Sequence, residues 1–290
     1  MKFCRFGPKG QEKPGVVDAD GKIRDLSGVV SDLTPDTVRL SQLKKLTALD
    51  IASLPIVEGQ PRYGVPVNGI GKIIAVGLNY ADHAAESNLP VPPEPIFFTK
   101  AITALTGPND NVMKPRDATK MDWEVELGLI IGKTCRYVEE SEALNHVAGY
   151  VLVNDVSERA FQKERGTQWV KGKGCDTFCP TGPWLVTPDE VGDVHNLDMF
   201  LDVNGQRMQT GNTKTLIFNV AKCISYISQF ITLQPGDLVI TGTPPGVGEG
   251  KKPNPIYLNA GDTMHLGVSK LGEQRQTVVA FTLEGQEIIE

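Results

Sequence analysis

Short apolar runs, separated by segments rich in Gly and Pro, dominate the hydrophobic pattern of this 290-residue chain. Four of these runs are apolar at most positions and too short for buried helices, which predicts buried strands. They are Lys72–Val76, Trp123–Ile131, Tyr150–Val153 and Leu238–Thr241. The chain also holds 30 Gly and 20 Pro, which is typical of many turns. We therefore expect a strand-rich fold with long shaped loops.

Helical spacing of apolar residues is confined to fewer segments. It predicts a helix that begins with Ser41 as its cap and ends near Leu54. Further helices are predicted at Asn79–Glu86, Ser141–Ala148, Ser157–Arg165 and Leu216–Phe230, the last being the longest. Helices and strands do not alternate regularly, and neither a GxGxxG motif nor a P-loop occurs. This pattern disfavours a Rossmann or barrel layout.

The first 65 residues have the features of a small separate unit. The stretch Pro14–Ile23 predicts two short strands around an Asp20-Gly21 turn. Residues Pro61–Gly71 are rich in Pro and Gly, as a linker would be. We therefore expect a small N-terminal domain at residues 1–65 and a larger domain at residues 70–290.

Composition and charge narrow the class of protein. The chain has 29 Lys and Arg against 35 Asp and Glu, a net charge of −6, which argues against a general nucleic-acid binder. No apolar run approaches the roughly 20 residues that span a bilayer, and the start lacks the apolar core of a signal peptide. Five scattered cysteines do not form a disulfide framework or a zinc motif. We expect a cytoplasmic protein with reduced thiols.

The most informative segment for function is an acidic one. On a strand, Asp122, Glu124 and Glu126 share one face, which by itself is typical of a solvated surface. However, the strand continues as the apolar run Gly128–Ile131, and Asp155 ends another apolar strand. Acids at the ends of buried strands need a counter-charge, and a divalent cation with all-oxygen ligands supplies one. The segment therefore predicts a site for Mg²⁺, Mn²⁺ or Ca²⁺ rather than zinc.

One of the four histidines stands out. His83 lies three residues before Glu86, so on a helix the two side chains share a face, and a carboxylate beside an imidazole favours general-base chemistry. A plain surface pair explains the spacing equally well. The following Asn88–Pro95 holds four prolines, which could let this helix move as a lid. The other three are expected to be structural, with His146 in a helix and His195 and His265 in or near turns.

Two glycine-containing loops are weaker indications of a ligand-binding site. Lys171 and Lys173 alternate with glycines, which let a backbone approach a ligand closely, although an exposed basic turn has the same pattern. The stretch Thr241–Gly248 follows a predicted strand and could wrap a small anion with its N–H groups.

Taken together, these segments resemble the fumarylacetoacetate hydrolase family over about residues 70–285. The segments occur in the family's order and are Gly77–His83, Asp122–Leu127, Asn154–Arg159, Lys173–Asp176 and Gly242–Gly248. The resemblance implies an α+β, strand-rich fold, a mixed β-sandwich roll of stacked folded sheets with a small N-terminal α/β domain. It also implies a homodimer.

The resemblance also implies roles for nine residues. Glu124, Glu126 and Asp155 match the ligands of one Mg²⁺ or Mn²⁺ ion per chain. His83 and Glu86 match a catalytic base pair, and Lys173 matches the lysine that faces the substrate. Arg159, Gln162 and Thr243 match positions that hold the substrate's carboxylate or keto oxygen.

The expected activity is hydrolysis of a carbon–carbon bond in a 2,4-diketo acid, with release of pyruvate. The motif around Arg159 looks closest to members that act on 2,4-diketo-3-deoxy sugar acids such as L-rhamnonate or L-fuconate. The chain departs from many members at Gly174, where they carry Ser, and at Ala160, where they carry Asp, and both departures bear on the substrate.

Several alternatives remain open. The same site would suit release of glyoxylate from ureidoglycolate, decarboxylation of oxaloacetate or isomerisation of a hydroxyhepta-dienedioate. Decarboxylation and isomerisation need no activated water, so an intact His83–Glu86 pair favours hydrolysis. A module that only binds small acids is a further alternative.

Overall fold

A computed structural model describes residues 1–81 and 91–283, and strands make up most of its regular structure. In chain order the strands are β1 (Lys2–Phe6), β2 (Lys13–Val17), β3 (Ile23–Asp25), β4 (Ile73–Gly77), β5 (Ile96–Lys100), β6 (Leu105–Thr106), β7 (Val112–Met113), β8 (Met121–Asp122), β9 (Val125–Ile131), β10 (Val147–Asn154), β11 (Ser157–Glu158), β12 (Cys179–Pro180), β13 (Leu185–Val186), β14 (Asp198–Val203), β15 (Gln206–Asn212), β16 (Leu238–Ile240), β17 (Thr263–Val268) and β18 (Gly272–Val279).

Helices in the described ranges are short. The α-helices are α1 (Leu40–Leu46), α2 (Arg159–Lys163), α3 (Val170–Lys173), α4 (Pro188–Val191) and α5 (Val220–Ser228). Segments of 3₁₀ helix lie at Ile51–Ser53, Ile102–Ala104, Glu140–His146, Thr213–Thr215 and Gly248–Gly250. In these ranges no helix is both long enough and apolar enough to cross a membrane.

Two large sheets build the core. Nine strands form one sheet in the order β3-β2-β1-β13-β10-β9-β16-β4-β5, and five form the other in the order β15-β14-β17-β18-β7. Every residue of strands β9 and β10 is buried, and the second sheet packs against them through β14, β17 and β18. This arrangement confirms the predicted strand-rich α+β fold.

The predicted strands are confirmed as β4, β9, β10 and β16, and the Asp20-Gly21 turn joins β2 to β3. Strands β1 to β3, from the expected N-terminal domain, belong to the nine-stranded sheet because β1 pairs with β13. The Arg62 guanidinium also pairs with Asp110, at 2.6 Å. The N-terminal residues are thus hydrogen-bonded to the rest of the chain, and an independent domain at residues 1–65 stays a prediction.

Several helix boundaries differ from the predictions. The first helix ends at Leu46, well before Leu54, and Asp50 starts a separate turn because its side chain accepts a hydrogen bond from the Ala52 N–H. Its N-cap is Arg39 rather than Ser41. In the helix predicted from Ser157, the cap is Glu158, whose carboxylate accepts from the Ala160 N–H.

The other differences have similar local causes. The predicted α-helix at 141–148 is a 3₁₀ helix, Glu140–His146, which ends because strand β10 begins at Val147. The longest described helix begins at Val220, where the Asn219 side chain accepts from the Lys222 N–H. His265 lies within strand β17 rather than in a turn.

We predict that Gly172→Ala destabilises the packing of α2 against α3. A Cβ atom at Gly172 would lie 2.3 Å from the Glu158 carbonyl oxygen and 2.6 Å from the Gln162 backbone nitrogen, so the two helices would have to separate. We expect a loss of about 1–3 kcal/mol in the free energy of unfolding, measured by denaturant titration. Gly28→Ala is the control because its Cβ would meet nothing within 4 Å. Equal stability of the two variants would contradict the prediction.

Candidate active site

Three carboxylates meet where strand β9 begins and strand β10 ends. The two strands are antiparallel, and Asn154 pairs with Val125. This register places Asp155 beside Glu124, whose carbonyl oxygen accepts a hydrogen bond from the Asp155 N–H at 2.9 Å. Glu124, Glu126 and Asp155 each offer a carboxylate oxygen, all within 4.8 Å of one another, and all three residues are buried. The structure therefore brings together the three residues that the sequence predicts as metal ligands.

Two buried lysines neutralise part of this cluster. The Lys173 Nζ lies 2.5 Å from Glu124 Oε2 and 2.6 Å from Asp155 Oδ2, consistent with its predicted place in the site. The Lys100 Nζ donates to the other oxygen of Asp155 and to the Val156 carbonyl oxygen, the latter at 3.2 Å. Sequence reasoning missed Lys100, although a lysine that closely follows the apolar residues Ile96–Phe98 was a detectable signal.

Arg159 links the cluster to Asp122. Its Nε donates to Asp122 Oδ2 at 2.9 Å, and its Nη2 donates to Glu124 Oε1 at 2.6 Å. Its Nη1 donates to Gln162 Oε1 at 3.2 Å, so the predicted substrate-binding pair is in direct contact. The second oxygen of Asp122 accepts from the Gly248 N–H at 2.6 Å. Asp122 therefore orients Arg159 and a neighbouring loop, a role that strand alternation alone did not indicate.

The glycine-rich loop after β16 closes another side of the cluster. The Gly242 N–H donates to Glu126 Oε2 at 2.8 Å, so the N–H predicted to face an anion faces a protein carboxylate. The Thr243 hydroxyl donates to the Val125 carbonyl oxygen at 2.9 Å and accepts from Gln209 Nε2 at 2.8 Å. Gln209 comes from strand β15, so the second sheet supports this loop.

The charges at this site favour a bound cation. Burial, together with repulsion from Asp155 and Glu124, raises the pKa of Glu126 well above its usual range. Burial acts to lower the pKa of Lys173, but Asp155 and Glu124 outweigh it and raise that pKa. Four carboxylates, including Asp122, face three cationic side chains in the described structure. The residues fit a hard divalent cation, because all three candidate ligands are oxygen donors and a positive ion would relieve the repulsion that raises the pKa of Glu126.

The three carboxylates of Glu124, Glu126 and Asp155 line a cleft. Its buried lining consists of Val76, Glu124, Glu126, Asp155, Arg159, Gln162, Lys173, Gly242, Thr243 and Val247. Its more exposed lining consists of Gly77, Leu78, Phe98, Lys163, Trp169 and Glu249. The cleft thus contains all seven of the predicted site residues that lie in the described ranges.

The predicted base pair, His83 and Glu86, lies outside the described residues. None of the other three histidines lines the cleft. His146 is buried beside the Lys133 carbonyl oxygen, His195 accepts a hydrogen bond from the Val220 N–H, and His265 contacts Glu273. The five cysteines have free thiols.

Comparison with known proteins gives concordant matches. The sequence profile described as "Fumarylacetoacetate (FAA) hydrolase C-terminal" matches residues 72–279. The chain is 69% identical over 288 residues to a 2,4-didehydro-3-deoxy-L-rhamnonate hydrolase from Sphingomonas sp. (strain SKA58), covering 99% of both chains.

Two solved structures share the fold along almost the whole chain. Fumarylacetoacetate hydrolase from Exiguobacterium antarcticum has a TM-score of 0.86 at 35% identity. Maleylpyruvate hydrolase from Sphingobium sp. SYK-6, in complex with manganese(II) ion and pyruvate, has a TM-score of 0.80 at 32% identity. Each match covers 97% of this chain and 100% of the other.

We predict that Glu126→Gln weakens Mn²⁺ binding more than about tenfold, because the substitution removes one of three carboxylate ligands. Electron paramagnetic resonance of free Mn²⁺ during titration measures this affinity without any activity assay. Glu164→Gln is the matched control, since Glu164 is exposed and pairs with Lys120 away from the cleft lining. Unchanged Mn²⁺ affinity in a folded Glu126→Gln protein would contradict the ligand assignment.

Proposed function

The chain belongs to the fumarylacetoacetate hydrolase family, and on that premise we propose that it hydrolyses the C3–C4 bond of a 2,4-diketo acid and releases pyruvate. The observation that carries the proposal is the meeting of three buried carboxylates with Lys173 and Arg159 in one cleft. The 69% identity to a 2,4-didehydro-3-deoxy-L-rhamnonate hydrolase supports that sugar acid as the substrate.

Glu124, Glu126 and Asp155 would hold one divalent cation per chain, and we propose Mg²⁺ or Mn²⁺. When bound, such an ion supplies Lewis-acid stabilisation of negative charge on substrate oxygens. The manganese and pyruvate described for the Sphingobium structure support this choice.

Lys173 and Arg159 have the charge needed to bind the acid end of the substrate. Both are buried cations that line the cleft, and buried positive charge attracts a carboxylate strongly. Gln162 and Thr243 line the same region and add amide and hydroxyl groups. We assign these four residues to the pyruvate half of the substrate.

His83, oriented by Glu86, would take a proton from water, whose oxygen attacks the C4 carbonyl carbon. The C3–C4 bond then breaks, the acyl portion leaves as a carboxylic acid, and C3 becomes the enolate carbon of pyruvate. Lys173 stabilises the charge that develops on the enolate oxygen, and protonation of C3 completes pyruvate. The proposal gives water the role of nucleophile, which distinguishes hydrolysis from decarboxylation or isomerisation.

A homodimer, as in the family, is part of the proposal. Light scattering coupled to size-exclusion chromatography tests it directly.

We predict pyruvate release from 2,4-diketo-3-deoxy-L-rhamnonate in the presence of Mg²⁺ or Mn²⁺, with loss of turnover in excess EDTA. A coupled lactate dehydrogenase assay measures the pyruvate. Ureidoglycolate, oxaloacetate and a hydroxyhepta-dienedioate are assayed in parallel for glyoxylate, carbon dioxide and isomer formation. Faster turnover of one of these three would replace the proposed reaction, and full turnover in EDTA would exclude the metal.

We predict that His83→Ala lowers kcat by about 10²–10⁴-fold, because that is the usual contribution of a general base. Oxalate and pyruvate should still bind to the Mn²⁺-loaded variant, as measured by calorimetry. This combination would exclude a module that only binds small acids. Undiminished kcat in His83→Ala would remove His83 from the mechanism.

A further inference from the structure

The outer part of the cleft contains two chemically different groups of residues. Phe98 and Trp169 form an apolar group, with ring centroids 5.2 Å apart, and Leu78 lines the cleft with them. Lys163 and Glu249 form a charged pair, with side chains 48% and 32% exposed. Neither group belongs to the carboxylate cluster that would hold the cation, so both are available to contact the remainder of a substrate.

Glu249 is held firmly in this position. It lies in the 3₁₀ turn Gly248–Gly250, where the Gly248 and Glu249 N–H groups donate to Asp122 at 2.6 and 3.0 Å. The same Asp122 carboxylate accepts from Arg159. The buried Asp122 side chain therefore positions both the Arg159 guanidinium, which faces the acid end of the substrate, and the turn that carries Glu249.

The charged pair can both accept a hydrogen bond from a neutral substrate group and donate one to it. Glu249 Oε2 lies 2.5 Å from Lys163 Nζ and 3.7 Å from Arg159 Nε. A carboxylate can accept on both oxygens, and an ammonium group has three donors. A substrate hydroxyl can thus donate to Glu249 and accept from Lys163, whereas a substrate carboxylate would meet the negative charge of Glu249.

We propose that the Glu249–Lys163 pair determines the acyl specificity of the cleft. It selects a 2,4-diketo acid whose acyl portion is short, uncharged and hydroxylated, and it disfavours one that carries a second carboxylate. The Leu78, Phe98 and Trp169 group accommodates the alkyl end of that acyl portion. The inference rests on the proposed function, because it assigns the acyl half of the substrate whose acid half binds at Lys173 and Arg159.

Substitution of Glu249 and substitution of Lys163 have opposite consequences for the binding of a dicarboxylate substrate. Glu249→Gln keeps the side-chain shape but leaves the Lys163 cation unpaired, which attracts a second carboxylate. Lys163→Met leaves the Glu249 anion without its lysine partner, which repels that carboxylate. For a substrate hydroxyl, Glu249→Gln replaces a charged acceptor with a weaker neutral one, and Lys163→Met removes a donor.

The test compares three substrates in each variant. Acetylpyruvate has neither a hydroxyl nor a second charge on its acyl portion and serves as the internal reference. 2,4-Diketo-3-deoxy-L-rhamnonate carries the hydroxyl, and fumarylpyruvate carries the second carboxylate. The readout is kcat/KM for each substrate divided by that for acetylpyruvate, which cancels general damage to the site.

In Glu249→Gln we expect the ratio for the hydroxylated substrate to fall about tenfold and the ratio for fumarylpyruvate to rise about tenfold. In Lys163→Met we expect both ratios to fall. Glu164→Gln, one residue along and outside the cleft lining, should keep the wild-type ratios.

Wild-type ratios in both cleft variants would overturn the inference while leaving pyruvate release intact. A wild-type enzyme that cleaves none of the three substrates would instead defeat the proposed function, and the inference with it. Lys163 is exposed, so Lys163→Met carries the test by itself if Glu249→Gln does not fold.

Discussion

Four carboxylates buried at one end of the β9–β10 pair impose the constraint that organises the surrounding structure. Burying a charge without a partner costs several kcal/mol, so each acid needs a nearby donor or cation. Lys100 ends β5, Arg159 begins α2, and Lys173 ends α3, and all three converge on this cluster. Two short helices and one edge strand are therefore placed where their cations can balance acids from the central strands.

The same balance explains why the cleft suits anionic chemistry. When all four carboxylates are ionised, they exceed the three cationic side chains by one negative charge, and a divalent cation would turn that excess into a net positive charge. An acid substrate, and the negative charge that develops as its carbon–carbon bond breaks, would then meet an environment of the opposite sign. Asp122 supports this arrangement because it accepts hydrogen bonds from both Arg159 and the turn that carries Glu249.

Much of the fold could be predicted from the sequence, and the exceptions have local causes. The apolar runs located β4, β9, β10 and β16, because strands buried on both faces need apolar side chains at nearly every position. Helix ends were less predictable. Asp50 started a new turn where the apolar spacing continued, and strand β10 began at Val147 and cut short the turn before it. In both places a hydrogen bond or a strand partner outweighed a weak helical preference.

The sequence by itself determined the kind of chemistry, since the spacing of Glu124, Glu126 and Asp155 at the ends of apolar strands already indicated a hard cation. Only the tertiary structure decided what surrounds those acids. Lys100 lies 55 residues before Asp155 in the chain, and Glu249 lies 86 residues after Lys163, so neither contact has a local signature. Strand register and sheet packing create these contacts, because charges distant in sequence interact only when folding brings them together in a buried, low-dielectric place.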